Sequence, residues 1–518
     1  MADNQQMTPR KWVAVMGTML GAFMAILDIQ ITNSSLADIS GGIAATPDEG
    51  SWISTSYLIG EIITIPLTAW LASIFTVRLY LLGNVVLFLL FSAACGFSTS
   101  LGEMIIFRAG QGFTGGVFIP MALTVIITTM PPNLRGVGTA LFGLTATLAP
   151  AIGPYVGGLL TDRIGWEWNF FINFIPGAIM FATVAYAIPA ETMKLGQIKQ
   201  GDWFGIGTLS IGLGCLIAML EEGQRNDWFG SEFIRNCALA AGIFVPAFIV
   251  WELFGAKKPV VNLRLLASRN LGVSTVVAFV LGVGLYGCVY LIPQYLGTVQ
   301  RYSPLLIGET LVWVGWPQLL IFPLLPFLMK KFDMRLLIFV GSLIFAYSCY
   351  MDVYMDPSTG KPEFIVSNIV RALGQPFTIV PVTSLATATL APKDAGEGSA
   401  IFNMFRNLGG SVGIAILSTV TTRREQFHDF RIGERVGIYD LAVQGRLAET
   451  QARFMALGFD EQTALRQAYG VLKQAVRKSA NVMAYNDAFL VVAISLVVGA
   501  CAVWFCKKPE GGAAAAAH

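Results

Sequence analysis

Charge is what this sequence has least of. Only 13% of its 518 residues are Asp, Glu, Lys or Arg, about half the share of a soluble globular chain. That leaves too few polar residues to solvate a soluble domain of this size. Histidine is scarcer still, at two, His428 and His518, which argues against a histidine-built metal site. The seven cysteines, at 95, 215, 237, 288, 349, 501 and 506, fall in or beside apolar runs. Without metal-ligand or disulfide spacing they read as small apolar packing residues. No GxxxxGK[ST] occurs, so no ATP-driven step is expected in this chain. Gly282-Val-Gly-Leu-Tyr-Gly287 matches GxGxxG, and Gly409-Gly-Ser411-Val-Gly413 matches GxSxG. Both lie inside apolar runs. The first has no strand before it and the second no histidine near it, so neither a dinucleotide site nor a serine hydrolase is read from them.

What the chain has in abundance is long apolar stretches. Hydrophobic residues make up 55% of it, the mean hydropathy is +0.64, and a membrane span needs roughly 20 mainly apolar residues. Fourteen candidate helices follow: 12–36, 51–74, 77–98, 103–128, 136–160, 168–189, 203–221, 233–254, 270–296, 304–329, 335–355, 363–388, 397–420 and 486–506. Arg10 and Lys11 before the run Trp12–Ile26 resemble a signal peptide. The run continues past Asp28 to Leu36 without an evident cleavage site and is read as an uncleaved first span.

An even number of spans puts both termini on one side. Segments on that side carry sixteen Lys/Arg: Arg10, Lys11, Arg78, Arg135, Lys194, Lys199, Lys257, Lys258, Arg264, Arg269, Lys330, Lys331, Arg335, Lys393, Lys507 and Lys508. The short loops opposite carry five: Arg163, Arg225, Arg235, Arg301 and Lys361. The positive-inside rule then places both termini in the cytoplasm. Residues 421–485 have a different character, with ten Lys/Arg and helix-type patterns such as AETQARFMALGF. On this orientation they form an outer loop, read either as a docking element or as a lid resting on the protein itself. The tail 507–518, ending GGAAAAAH, reads as disordered.

The chain repeats itself. Arg108-Ala-Gly-Gln-Gly-Phe-Thr leads to Pro120 in the fourth span, and Arg371-Ala-Leu-Gly-Gln-Pro-Phe-Thr leads to Pro381 in the twelfth. Gly138-Thr-Ala-Leu-Phe142 and Gly398-Ser-Ala-Ile-Phe402 recur at the same offset of about 260 residues. Parallel repeats of this kind mark two-halved transporters, with the site between the halves at mid-membrane. The expected architecture is all-α: a six-helix bundle over 1–202, two inserted helices over 203–256, and a second six-helix bundle over 257–506 that includes the 421–485 loop.

An ionisable group inside a span costs at least a few kcal/mol and calls for a reason. Asp28, Glu61, Arg108, Glu309, Arg371 and Arg406 all lie in spans. Burial disfavours the charged form of a carboxylate and a nearby guanidinium favours it. Two carboxylates, Asp28 and Glu61, with the permanent cation Arg108 in the same half can therefore couple proton movement to a substrate. The alternative reading is buried ion pairs that fix helix register. Phe113, Tyr286, Tyr290, Trp313, Trp316 and Phe405 are the candidates for an apolar, aromatic substrate cavity. The fifth span has Gly143, Pro150, Gly153, Pro154, Gly157 and Gly158, a kinked and closely packed helix suited to a seal against proton leak.

These residues carry a family resemblance. The fifth span resembles the antiporter motif GxxxxxxxPxxGPxxGG of the major facilitator superfamily at all six positions just named. Arg108, Gln111 and Gly112 resemble its fourth-helix RxxQG motif, whose arginine is linked to proton coupling. Leu27-Asp28 with Asn33 resembles the first-helix LDxTIVN motif of the fourteen-span drug transporters. WISTSYLI, FFIN and VWEL look like EmrB-type multidrug exporters, and the similarity runs through nearly the whole chain. The motif usual between helices two and three, GxLaDRxGRK, is degraded to Ala69-Trp-Leu-Ala-Ser73-Ile-Phe-Thr-Val-Arg78. Its aspartate and both glycines are gone.

The resemblance implies a proton-coupled exporter of lipophilic compounds in the bacterial inner membrane, driven by the proton gradient without a cofactor. It implies partnership with a periplasmic adaptor of EmrA type and an outer-membrane channel of TolC type. No nucleic-acid partner is expected, and no enzymatic activity. A proton-coupled uptake symporter and a non-transporting membrane receptor or scaffold are the rival readings.

Overall fold

The computed structural model describes residues 7–257, 259–388, 390, 394–436 and 440–508. Lys258, Lys393 and the tail from 509 onward, which entered the orientation and disorder expectations, lie outside these residues. Fourteen helices are long and apolar enough to cross a membrane. They are α1 (Pro9–Ser34), α2 (Trp52–Phe75), α3 (Val77–Gly96), α4 (Leu101–Thr129), α5 (Pro132–Ile164), α6 (Trp168–Ala187), α7 (Trp203–Glu222), α8 (Glu232–Gly255), α9 (Arg269–Thr298), α10 (Pro304–Lys331), α11 (Met334–Tyr354), α12 (Lys361–Thr387), α13 (Gly396–Arg435) and, after the short helix α14 (Leu441–Ala456), α15 (Glu461–Phe505). No strand occurs among the described residues.

Local chemistry sets the ends and breaks of these helices. Thr8 caps α1, accepting a hydrogen bond from the Lys11 amide (3.4 Å) ahead of Pro9 at the first helical position. Helix α4 is interrupted between Gly115 and Phe118. Helix α10 passes through 3₁₀ turns at Val312–Val314 and Phe322–Leu324, next to Pro317 and Pro326 and at Pro323. Each proline removes one backbone donor. Thr76, between α2 and α3, stands at φ 69. The motif that this loop resembles has glycine there, and the left-handed region strains any residue with a Cβ.

The 421–485 segment is less a loop than a continuation of the two spans beside it. Helix α13 runs unbroken to Arg435 and α15 begins at Glu461, with α14 packed on α15. Hydropathy falls at about Thr421, but the backbone hydrogen bonding does not stop there. Polar residues simply carry the helices beyond the apolar layer. Asp487 of α15 ties them together, pairing with Arg424 at 2.5 Å and with His428 at 2.8 Å, and Arg477 pairs with Glu425 at 3.0 Å.

Packing sorts the spans into two groups. Helices α1–α6 pack among themselves, as do α9–α13 with α15. Contacts between the groups run through α5 against α10 and α12, and through α13 against α2 and α4. The inserted α7 packs on α2 of one group and α13 of the other, and α8 packs on α7. The glycine patterns set aside above belong to this packing. A Cβ at Gly282 would strike the Arg406 carbonyl, and one at Gly409 the Phe279 carbonyl, so α9 and α13 touch backbone to backbone.

Candidate functional site

Asp28 and Arg108 meet, as the sequence allowed. The Arg108 Nη1–Asp28 Oδ2 distance is 2.6 Å and both side chains are at most 1% exposed. Asp28 Oδ1 also accepts from Gln111 Nε2 (3.0 Å) and Asn173 Nδ2 (2.6 Å). Arg108 donates Nε to the Ile53 carbonyl (3.2 Å), shares Nη1 with Gln111 Oε1 (2.7 Å), and lies 4.3 Å from the centre of the Tyr57 ring. Ser92 accepts from Gln111 and Asn173 and donates to the Phe170 carbonyl. A buried ion pair offsets its own desolvation only when its remaining donors and acceptors are met. Here helices α1, α3, α4 and α6 converge to meet them. Gly112 lets this happen, because α4 lies so close to α2 that a Cβ there would enter the Tyr57 backbone.

Glu61 is not part of that cluster. It is buried at 4% exposure, and its Oε1 accepts from Asn407 Nδ2 of α13 at 3.0 Å. The Tyr286 hydroxyl of α9 donates to the same amide's oxygen at 3.2 Å. Glu61 thus reaches from the first helix group to the second through a neutral side chain. It makes no ion pair among the described residues, and Arg406 and Arg108 are the cations that act on it from further off. In the second group, Arg371 pairs with Asp352 at 2.8 Å and bonds Asn368 at 2.5 Å. Glu309 pairs with Lys361 at 2.6 Å at a part-exposed position. Arg406 is 4% exposed and has no ion pair among the described residues.

Glu61, Asn407 and Tyr286 stand on the wall of a cavity of about 610 Å³ between the two helix groups, well within the size that accommodates a drug-like molecule. It is lined by α1, α2, α5, α7, α9, α10 and α13 and lies toward the ends of those helices away from the chain termini, where Ser51, Gln294 and Thr422 stand. A smaller space of about 60 Å³ continues inward, lined by Gln30, Pro150, Gln375, Arg371 and Arg406. Nearer the termini the groups are in contact, with the Ser399 hydroxyl donating to the Pro120 carbonyl at 3.1 Å.

Of the six aromatic residues expected at the cavity, Tyr286 and Tyr290 line it. The other four lie elsewhere in this structure. Phe113, Trp313 and Trp316 line neither space and are 40%, 39% and 60% exposed, and Phe405 packs into an apolar cluster of α2, α7 and α13. An apolar side chain on a span suits lipid and cavity equally well, so composition could not separate them.

The fifth-span motif divides its glycines between two neighbours. Gly153 and Gly157 abut Gln30 and Ile31 of α1, while Gly143 abuts Phe322 and Val380 and Gly158 abuts the Pro304–Leu305 backbone of the other group. Pro150 and Ala151 reach the inner space. Pro154 lines the larger cavity.

Four contributors went unread in the sequence. Asn173 lies in the FFIN stretch and Asn407 one residue after Arg406. Glu221 and Glu222 end α7. The signal was available for the last two, as adjacent acids at the end of an apolar run.

The Major Facilitator Superfamily model matches residues 18–414. The chain is 31% identical over 494 residues to the colistin resistance protein EmrB of Acinetobacter baumannii, covering 94% of this chain and 95% of that protein. It is 31% identical over 509 residues to the multidrug export protein EmrB of Escherichia coli K12, covering 96% of each. Among solved structures it resembles the proton:xylose symporter XylE, with a TM-score of 0.60 at 14% identity over 97% of both chains, a likeness of fold alone.

Proposed function

The chain belongs to the Major Facilitator Superfamily, and from that premise we propose that it is a proton-coupled antiporter that exports lipophilic compounds by alternating access. The observation that carries this reading is the cavity between the helix groups with Glu61 on its wall, hydrogen-bonded across the gap by Asn407 and without an ion pair among the described residues. A carboxylate held by a neutral amide can gain or lose a proton without breaking an ion pair. The same step changes what holds the two groups together. Asp28 and Arg108 supply a second site, in which protonating the carboxylate would free the guanidinium from its partner. The relatives named for multidrug export and colistin resistance support export over uptake, as does the close packing of α5 against both groups.

With the termini in the cytoplasm of a bacterial inner membrane, the cavity faces the extracytoplasmic side, and α13, α14 and α15 project there. This projection is the docking element for a periplasmic adaptor of EmrA type, which an outer-membrane channel of TolC type would continue. Replacing 436–460 by a short glycine–serine turn is expected to abolish co-purification with the adaptor while leaving the monodisperse membrane fold intact. Adaptor retained by the shortened protein would overturn this assignment.

The test of antiport is dye movement in proteoliposomes under an imposed pH gradient. Wild type is expected to drive a lipophilic dye across. Asp28→Asn is expected to reduce gradient-driven transport by at least about 100-fold, as loss of a proton-transfer group typically does, and Glu61→Gln by about tenfold or more. Dye movement by wild type that ignores the gradient would sink the antiport reading.

A further inference from the structure

The inserted helix α7 ends in two adjacent carboxylates that turn in different directions. Glu222 faces the first helix group, accepting from the hydroxyls of Ser51, just before α2, and Thr55 of α2 at 2.9 and 2.6 Å. Glu221 lines the cavity, as does Ser411 of α13 in the second group. Its Oε1 is buried and has no hydrogen-bond partner among the described residues. No ion pair reaches Glu221 among the described residues, and the charged group acting most directly on it is Glu222, of like sign. The other titratable or charged groups lining the cavity are Glu61 of α2, Tyr286 and Tyr290 of α9, and the exposed Arg225 just beyond α7.

Glu221 as a whole is half-buried, but a carboxylate with one oxygen buried without a hydrogen bond or an ion pair is costly in its ionised form. It can be relieved in two ways, by a proton or by a cation brought in by a ligand. The surroundings suit the second as well as the first. The tyrosine rings offer faces that attract cations, and apolar residues such as Ile62, Ile217 and Val289 line the same cavity for a lipophilic body.

We propose that Glu221 is a cation-recognition site of this cavity, at which a proton and the cationic headgroup of a lipophilic substrate compete for one carboxylate. The exchange balances. The carboxyl proton leaves to water as the organic cation arrives, and one positive charge replaces another. The inserted helices then contribute a binding group and not only a spacer between the bundles. This inference rests on the exporter reading for its biological sense, but the binding step can be tested apart from transport.

The experiment uses the purified full-length protein in lipid nanodiscs in weak buffer with a pH-sensitive dye. The probes are tetraphenylphosphonium as the lipophilic cation and Nile red as the neutral lipophile. Wild type is expected to release protons on binding tetraphenylphosphonium. Glu221→Gln should bind that cation at least about tenfold more weakly, without proton release, as expected for loss of a desolvated charge partner. Nile red affinity should stay within about twofold, which also shows the cavity intact. Glu221→Asp should retain proton release. Undiminished tetraphenylphosphonium binding by Glu221→Gln would overturn the proposal, as would a parallel fall in Nile red binding or no binding of the cation by wild type. If wild type binds the cation with proton release but a pH gradient moves no compound, the exporter reading fails and the site stands.

Discussion

Arg108→Ala is expected to destabilise the folded protein by about 3–5 kcal/mol, the cost typical of leaving one charge of a buried pair uncompensated. The size follows from the geometry. Asp28 is fully buried and would keep only the Gln111 and Asn173 amides as partners. Those amides in turn depend on Ser92, so the loss would loosen the meeting of α1, α3, α4 and α6. Removing both charges, as Asp28→Asn with Arg108→Gln, leaves polar groups that can still bond each other and should recover most of that stability. It should not recover gradient-driven transport if the pair handles protons. Thermal unfolding of the detergent-solubilised variants reads the first effect and proteoliposome transport the second. Should the double variant transport as wild type does, the pair serves only to fix helix register, the alternative reading of the sequence.

Gly409→Val and Gly282→Val are the other large expected losses. At both positions the neighbour of the missing Cβ is a backbone carbonyl, of Phe279 and Arg406 respectively. A side chain can swing aside, but a helix backbone cannot do so without moving the helix. Overpacking usually costs about 1–3 kcal/mol where side chains yield. Separation of two helices along their main seam should exceed that. The seam carries Asn407 and Arg406, so a displaced α13 also withdraws the amide that holds Glu61. Gly83 has nothing within 4 Å of its would-be Cβ, and Gly83→Ala is the control expected to leave the melting temperature unchanged. A Gly409→Val protein that melts with wild type would show that α9 and α13 are not held as closely as described.

The fourteen spans were legible because lipid imposes one rule on each of them: a run of apolar residues long enough to cross, with every backbone group bonded inside the helix. The buried charges were legible for the complementary reason, since Asp28, Glu61, Arg108, Arg371 and Arg406 stand out against an apolar background. Motif spacing also placed Arg108 and Gln111 on one face of a helix, where the structure finds both on Asp28.

Other features were decided only by the tertiary structure. Whether Glu61 would join Asp28 or face the opposite bundle depends on the rotation of α2 about its axis, and an apolar helix with little amphipathic character does not encode that rotation. The same ambiguity applies to Trp313 and Trp316, which line neither space here and which periodicity cannot tell from cavity residues when lipid and cavity are both apolar. The helices of the 421–485 segment were visible as patterns, yet their continuity with the spans was hidden by the fall in hydropathy at the membrane boundary. Asn407 acquires meaning only because α13 packs on α2, and Glu221 because α7 packs beside both. The sequence by itself determined which segments cross the membrane and which residues are too costly to be there without a role. The partners that offset those costs were set by tertiary packing, within one bundle for Asp28 and for Arg371 and between the bundles for Glu61, through contacts that no local hydropathy pattern records.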